Sequence, residues 1–302
     1  MRNTLKTMLG VLAALALCAP GLARAALTVT DDAGRAVTLA RPAQRIISFA
    51  PHVTELIFAA GGGARIVGAI SFSDYPPAAS KIPLVGDNSQ IDIERVIALK
   101  PDLLVVWQSG NTARQLEQLG ALGIPIFYSE PQLLDQVAES LLRLGRLMDT
   151  EASAQAAASA YRARIARLAA RYSARPPVRL FYQIWDKPLY TLNGKHIVSD
   201  AIRLCGGENV FAGLKVTAPS VSIEAVLQAN PEALFGGDQH DPADAGLNIW
   251  KPYKRMLAVE RGNLFTLGGE LLTRAGPRMA DGAEALCQKL ELARQRRPLA
   301  AR

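Results

Sequence analysis

EASAQAAASAYRARIARLAARY, Glu151 to Tyr172, is rich in Ala and Arg and holds neither Gly nor Pro, so nothing in it interrupts a helix of 22 residues. At 1.5 Å per residue such a helix spans ~33 Å. Two readings are open for it. It is either a rigid rod joining two lobes, which permits only modest hinge motion, or an ordinary amphipathic helix packed on one sheet.

The flanks frame the question. Upstream, β-branched runs at Arg45–Ser48, Ile66–Ser71, Asp102–Trp107 and Pro125–Ser129 alternate with helical stretches. Downstream, Val178–Trp185, Glu232–Gly236 and Asn263–Leu267 alternate with helices near His196–Leu204, Ser222–Ala229 and Pro277–Arg294. Alternation of this kind predicts parallel sheets covered by helices. The expected fold is therefore α/β, with two Rossmann-like lobes of parallel sheet joined by a long α-helix. The two halves also echo each other. Ile93-Glu94-Arg95-Val96-Ile97 leads to Pro101-Asp102-Leu103-Leu104, and Ile223-Glu224-Ala225-Val226-Leu227 leads to Pro231-Glu232-Ala233-Leu234.

The amino terminus carries Arg2 and Lys6, an apolar run Met8–Cys18 and then Ala23-Arg24-Ala25, the small-x-small pattern of a cleaved secretory leader. The run is too short to span a bilayer, and Leu17 is too bulky for lipidation at Cys18. The expected organisation is a leader over 1–25, lobes over 26–148 and 175–296, a linking helix over 149–174 and a disordered tail over 297–302. The formal net charge of +7 falls to about +4 once the leader is removed. Outside Arg294–Arg302, expected to be solvated, the basic residues are not clustered, which argues against a nucleic-acid partner. Cys205 and Cys287 remain as an even pair in an exported chain, for which a disulfide is the default and two buried free thiols the alternative. A disulfide would close a loop of roughly 80 residues and contribute on the order of 4 to 5 kcal/mol.

Motifs of common enzymes are absent: no Gly-x-Ser-x-Gly, no phosphate-cradling Gly-Lys-Ser, no His-Glu-x-x-His. His52, His196 and His240 are far apart, so no metal is expected. His52 sits in Ser48-Phe49-Ala50-Pro51-His52-Val53-Thr54-Glu55, a strand-to-helix turn. It reads either as a cleft-mouth residue or as a helix-start histidine with local hydrogen bonds. Phe72, Trp107 and Trp185 each fall at a predicted strand end, where flat apolar side chains suit a broad, flat ligand or simply fill the core.

Taken with Ser73-Asp74-Tyr75-Pro76-Pro77, Ala98-Leu99-Lys100-Pro101-Asp102-Leu103, Cys205-Gly206-Gly207-Glu208-Asn209 and Arg274-Ala275-Gly276-Pro277-Arg278, the chain resembles the cobalamin-binding proteins of ABC importers, within the helical-backbone class of periplasmic binders. The resemblance covers most of the mature chain. It implies a non-enzymatic, monomeric periplasmic protein without cofactor, which holds a corrinoid as cargo between its lobes and delivers it to a permease dimer in the inner membrane. Phe72 falls where the family has a ligand-contacting Tyr, and Glu270, Leu271, Leu272, Thr273 and Arg274 match a second contact segment, Arg274 meeting the amide rim of the ligand. Glu94 and Glu224 match carboxylates that dock on permease arginines, and Cys205 and Cys287 match the family disulfide. Where the family carries cleft tryptophans this chain has Asn88 and Ala218, and Trp185 stands where a smaller residue is expected. A haem or ferric-siderophore binder of the same fold, or an extracellular hydrolase using scattered carboxylates, are the rival readings.

Overall fold

A computed structural model describes residues 26–237 and 246–298. The leader, His240 and residues 299–302 lie outside that range. The described residues begin with an antiparallel hairpin, β1 (Leu27–Thr30) and β2 (Ala36–Leu39), that the alternation argument did not anticipate. Its turn is closed by Gly34 at φ 75°, a left-handed conformation that costs glycine nothing.

The first lobe follows: β3 (Ile46–Ser48), α1 (Pro51–Ala59), β4 (Ile66–Ala69), α2 (Ile93–Ala98), β5 (Leu103–Trp107), α3 (Ala113–Gly120), β6 (Ile126–Ser129) and α4 (Leu134–Met148). The sheet runs β4-β3-β5-β6 with every pair parallel. β4 ends two residues earlier than its composition suggests, because Phe72 sits at φ 65° and the chain turns out of the sheet just beyond it.

α5 (Glu151–Tyr172) has the bounds read from the sequence. It answers the open question in favour of both readings. Ala154, Ala158, Tyr161 and Tyr172 are buried on it, and they belong to one continuous apolar cluster running from Val29 and Ile46 in the first lobe to Val178, Leu286 and Ala293 in the second. α5 is thus a rod between lobes and also a packed helix, clamped along its length by core from both sides.

The second lobe contains β7 (Val178–Gln183), the short hairpin β8 (Trp185–Asp186) and β9 (Leu189–Tyr190), α6 (Ile197–Leu204), β10 (Gly207–Asn209), α7 (Ile223–Ala229), β11 (Ala233–Gly237), α8 (Leu257–Glu260), β12 (Leu264–Leu267), α9 (Gly269–Thr273) and α10 (Met279–Gln295). Trp185 therefore does not end β7 but opens a hairpin of its own. The sheet order β10-β7-β11-β12 is again second-first-third-fourth and parallel, so the lobes share one topology. α2 and α7, the echoed segments, both precede the third strand. Each leaves its helix through a left-handed residue, Lys100 at φ 47° and Asn230 at φ 43°, before a proline.

Cys205 and Cys287 form a disulfide, fully buried, that ties the end of α6 to the middle of α10. Arg294 and Arg297 correct the expectation of a solvated tail for its described part. Arg294 is 9% exposed, and its guanidinium donates to the carbonyls of Pro176, Cys205 and Gly206. Arg297 grips Glu232 with two bonds of 2.7 and 2.8 Å. Composition reads such arginines as surface charge, whereas each one here finds carbonyl or carboxylate acceptors that α10 brings within reach.

Candidate ligand-binding cleft

Strands of a parallel sheet release their chains at the carboxyl ends, and two such lobes placed edge to edge leave a crevice there. A cavity of about 750 Å³ lies at this position. The first lobe supplies Trp107, the last residue of β5, with Gln108, Ser109, Glu130, Pro131 and Gln132. The second supplies Ile184, Leu192, Lys195, His196 and Ile197, together with Thr217, Ala218 and Thr273.

Trp107 is held from three directions. Its backbone N–H donates to Asn111 Oδ1 at 2.8 Å. Gly110 lies against its ring so closely that a Cβ there would come within 1.8 Å of Cε3. The imidazole of His52 meets it edge-on, ring centroids 5.6 Å apart. His52 is not at the cleft mouth. It is 4% exposed, faces Ser129 Oγ at 3.3 Å, and burial, reinforced by the Arg274 charge, pushes its pKa down to about 3. Its role is that of a neutral support behind the tryptophan.

Glu130 is oriented by Ser109, whose N–H and hydroxyl donate to its two carboxylate oxygens at 2.9 and 3.0 Å. Among the lining residues Glu130 is the one carboxylate and Lys195 the one Lys or Arg cation. His196 is neutral, burial having lowered its pKa to about 4.

A second polar cluster crosses between the lobes. Arg278 donates to both oxygens of Glu55, at 2.6 and 3.0 Å, and its guanidinium lies 4.1 Å over the ring of Tyr75. Arg274 pairs with Asp74 at 2.9 Å, Glu270 at 3.0 Å and Glu55 at 3.5 Å. Asp74 is held below the usual carboxylate range, since the hydrogen bond and charge of Arg274 outweigh its partial burial. Three carboxylates thus enclose two guanidinium groups.

The residues expected at the site separate into groups. Trp107 and Thr273 line the cavity. Phe72 and Trp185 do not, but present large exposed rings, 75% and 52% accessible. Leu272 is fully buried in the core, a correction, because α9 turns that side chain inward while Thr273 faces out. Leu271 is half-buried with its carbonyl against Gly282. Glu270 pairs with Arg274 and Arg278, and Arg274 also reaches Glu55 and Asp74 of the first lobe. Glu94 and Glu224 are exposed in the first turns of α2 and α7, whose caps, Asp92 and Ser222, accept from the N–H groups of Arg95 and Ala225. Gln108, Glu130, Lys195 and His196 were not anticipated. The strand-end rule applied to polar residues as well as aromatics selects Gln108 and Glu130. The turn Asn193-Gly194 before α6 was the available signal for the other two.

The profile of the family described as periplasmic binding protein matches residues 46–271. The chain is 38% identical over 255 residues to the vitamin B12-binding protein of Vibrio cholerae serotype O1, covering 84% of this chain and 91% of that one. It is 39% identical to the vitamin B12-binding protein of Yersinia pestis, covering 83% and 88%. Among solved structures, the periplasmic vitamin B12 binding protein BtuF of Vibrio cholerae superposes with a TM-score of 0.78 at 37% identity, covering 84% of this chain and 99% of that one. The periplasmic heme-binding protein RhuT of Roseiflexus sp. RS-1 shares the fold, with a TM-score of 0.71 at 24% identity over 83% of this chain and 99% of that one. With twin parallel sheets, a rod between them and a cavity at their seam, the chain belongs to the periplasmic binding protein family, a family of substrate carriers and not of enzymes.

Proposed function

We propose that this protein captures cobalamin or a close corrinoid in the inter-lobe cleft and hands it to the permease dimer of an ABC importer, after export through the leader at 1–25. The observation that carries the reading is the 38 to 39% identity to vitamin B12-binding proteins over more than four fifths of the chain. The chemistry of the cleft supports it. A corrin presents flat apolar faces and a rim of uncharged amides. Trp107 offers a rigid face, and the Gln, Ser and Thr side chains around it offer hydrogen bonds to an amide rim. Haem carboxylates or an anionic siderophore call for an excess of cations, whereas the cavity wall balances its one Lys, Lys195, with the carboxylate of Glu130, and Arg274 and Arg278 are paired with Glu55, Asp74 and Glu270.

Phe72, Trp185, Glu270, Leu271, Thr273 and Arg274 complete the proposed contact set. The two exposed rings are free to cover a ligand larger than the cavity, and Phe72 is held in a left-handed backbone conformation that sterics disfavour for an aromatic residue, as functional sites often require. Arg274 reaches a ligand amide by exchanging its bond to exposed Asp74. Calorimetric titration of the mature protein with cyanocobalamin, cobinamide, haem and a ferric siderophore tests the reading. Binding of either corrinoid supports it, and binding of haem or siderophore alone overturns it.

Glu94 and Glu224 are the proposed docking knobs. They occupy equivalent exposed positions in two lobes of one topology, which suits a receptor with two-fold symmetry, and charge-assisted contacts to permease arginines set orientation and on-rate. Reversing both to Lys should leave ligand affinity intact and abolish stimulation of the importer, measured as ATP hydrolysis in proteoliposomes. Normal stimulation by the double variant refutes the docking role.

A further inference from the structure

His196 lines the cleft, on the loop that leads from β9 into α6. The loop is tightly built. Asn193 Oδ1 accepts the N–H of Lys195 at 2.9 Å, and Asn193 O accepts the hydroxyl of Ser199 at 2.8 Å. Arg203 donates to Gly194 O at 2.9 Å. The imidazole is itself the cap of α6: Nδ1 accepts the N–H of Val198 at 3.2 Å. An imidazole nitrogen facing an amide hydrogen uses its lone pair there and has no room for a proton. The single proton of the neutral ring therefore sits on Nε2, which has no hydrogen-bond partner among the described residues and belongs to a side chain on the cavity wall.

We propose that His196 is a specificity-determining residue of the cleft, in which Nε2–H, its tautomer locked by the helix cap, donates to a carbonyl oxygen on the amide rim of the bound ligand. This rests on the corrinoid reading above and deepens it. The lock also bars the residue from metal chemistry. Ligation through Nε2 requires the proton to move to Nδ1, against the Val198 N–H, and so breaks the cap. The cleft thus reads the periphery of a macrocycle and leaves its metal untouched. Burial keeps the ring uncharged, its pKa lowered to about 4, so the group acts as a directional donor; the charged groups on the surrounding walls are Lys195 and Glu130.

The test uses His196→Asn in the mature protein. Asn is among the best helix caps, so the fold is retained, but its shorter side chain withdraws the donor from the cavity. Thermal stability is expected to stay at the wild-type value while the dissociation constant for cyanocobalamin rises roughly tenfold, the worth of one hydrogen bond. Wild-type affinity in the variant overturns the inference and leaves the corrinoid reading standing. Failure of the wild-type protein to bind cyanocobalamin overturns both. Two further readouts bear on the lock. Nitrogen-15 NMR of the imidazole is expected to show the Nε2–H tautomer, and an Nδ1–H tautomer overturns the inference. Haemin added to the wild-type protein is expected to give no imidazole-ligated low-spin spectrum, and such a spectrum, lost in His196→Asn, overturns it as well.

Discussion

Glu55 and Asp74 face the same pair of arginines from different depths. The side chain of Glu55 is 2% exposed and that of Asp74 55%. Depth decides what each ion pair is worth. A buried pair is expensive to break, because the remaining charge stays desolvated, on the order of 3 to 5 kcal/mol. An exposed pair is screened, and its loss costs about 1 kcal/mol or less. Arg278→Met should therefore destabilise the protein by roughly 3 kcal/mol or more, and Asp74→Asn by less than about 1 kcal/mol. Urea denaturation of the two variants measures this, and equal effects contradict the assignment. Trp107→Ala is expected to act on binding instead, weakening the corrinoid roughly 10 to 100-fold as an anchor residue does; titration in the same assay that uses cyanocobalamin checks it.

The packing of α5 depends on small residues. Gly145 lies inside α4, where glycine costs about 1 kcal/mol relative to alanine. The reason it stands there is the neighbouring helix: a Cβ at Gly145 would lie 2.3 Å from Cβ of Ala154 on α5. Gly145→Ala is thus expected to lower the melting temperature despite better helix propensity, because the rod is pushed from its seat, with a net cost of about 1 to 3 kcal/mol. A raised melting temperature would show that the two helices slide apart freely. The proposed docking pair belongs to the level of elements too. Neither Glu94 nor Glu224 is distinctive alone, and the proposal rests on their equivalent placement ahead of the third strand of each lobe.

Across the molecule, one apolar cluster passes through both lobes by way of α5, and a disulfide closes a separation of 82 residues on the second. A core shared through one rigid helix is expected to permit only modest hinge motion, and a cleft so held would need little ordering on binding. Acid should act on the whole molecule through its histidines. His52 and His196 fall from 6.5 to about 3 and about 4, burial being the main cause for each. The unfolded chain takes up these protons below pH 6.5 while the folded protein refuses them. Stability is therefore complete above that pH and declines as pH falls toward the folded values, by up to roughly 1.4 kcal/mol per pH unit for each histidine. Melting temperatures recorded from pH about 7.5 to about 5 should fall, and His52→Gln should flatten the decline. A melting temperature constant over that range contradicts this account.

Alternation of strand and helix patterns, the uninterrupted stretch Glu151–Tyr172 and the echoed Glu94 and Glu224 segments are properties of order along the chain, so the sequence by itself determined the parallel sheets, the rod and the pairing of lobes. Trp107 was legible too, because a strand end in a parallel sheet opens onto the cleft whatever the neighbours. Tertiary structure decided the rest. Leu272 and Thr273 are adjacent in the segment expected to contact a ligand, yet one is core and the other cavity wall, a choice made by how α9 lies on α10. Arg274 and Arg278 look like free cations until Glu55 and Asp74 arrive from about 200 residues away. His52 and His196 differ in setting because one packs edge-on against Trp107 and the other caps α6 on the cavity wall. Such choices depend on burial and on partners distant in sequence, and local pattern carries neither.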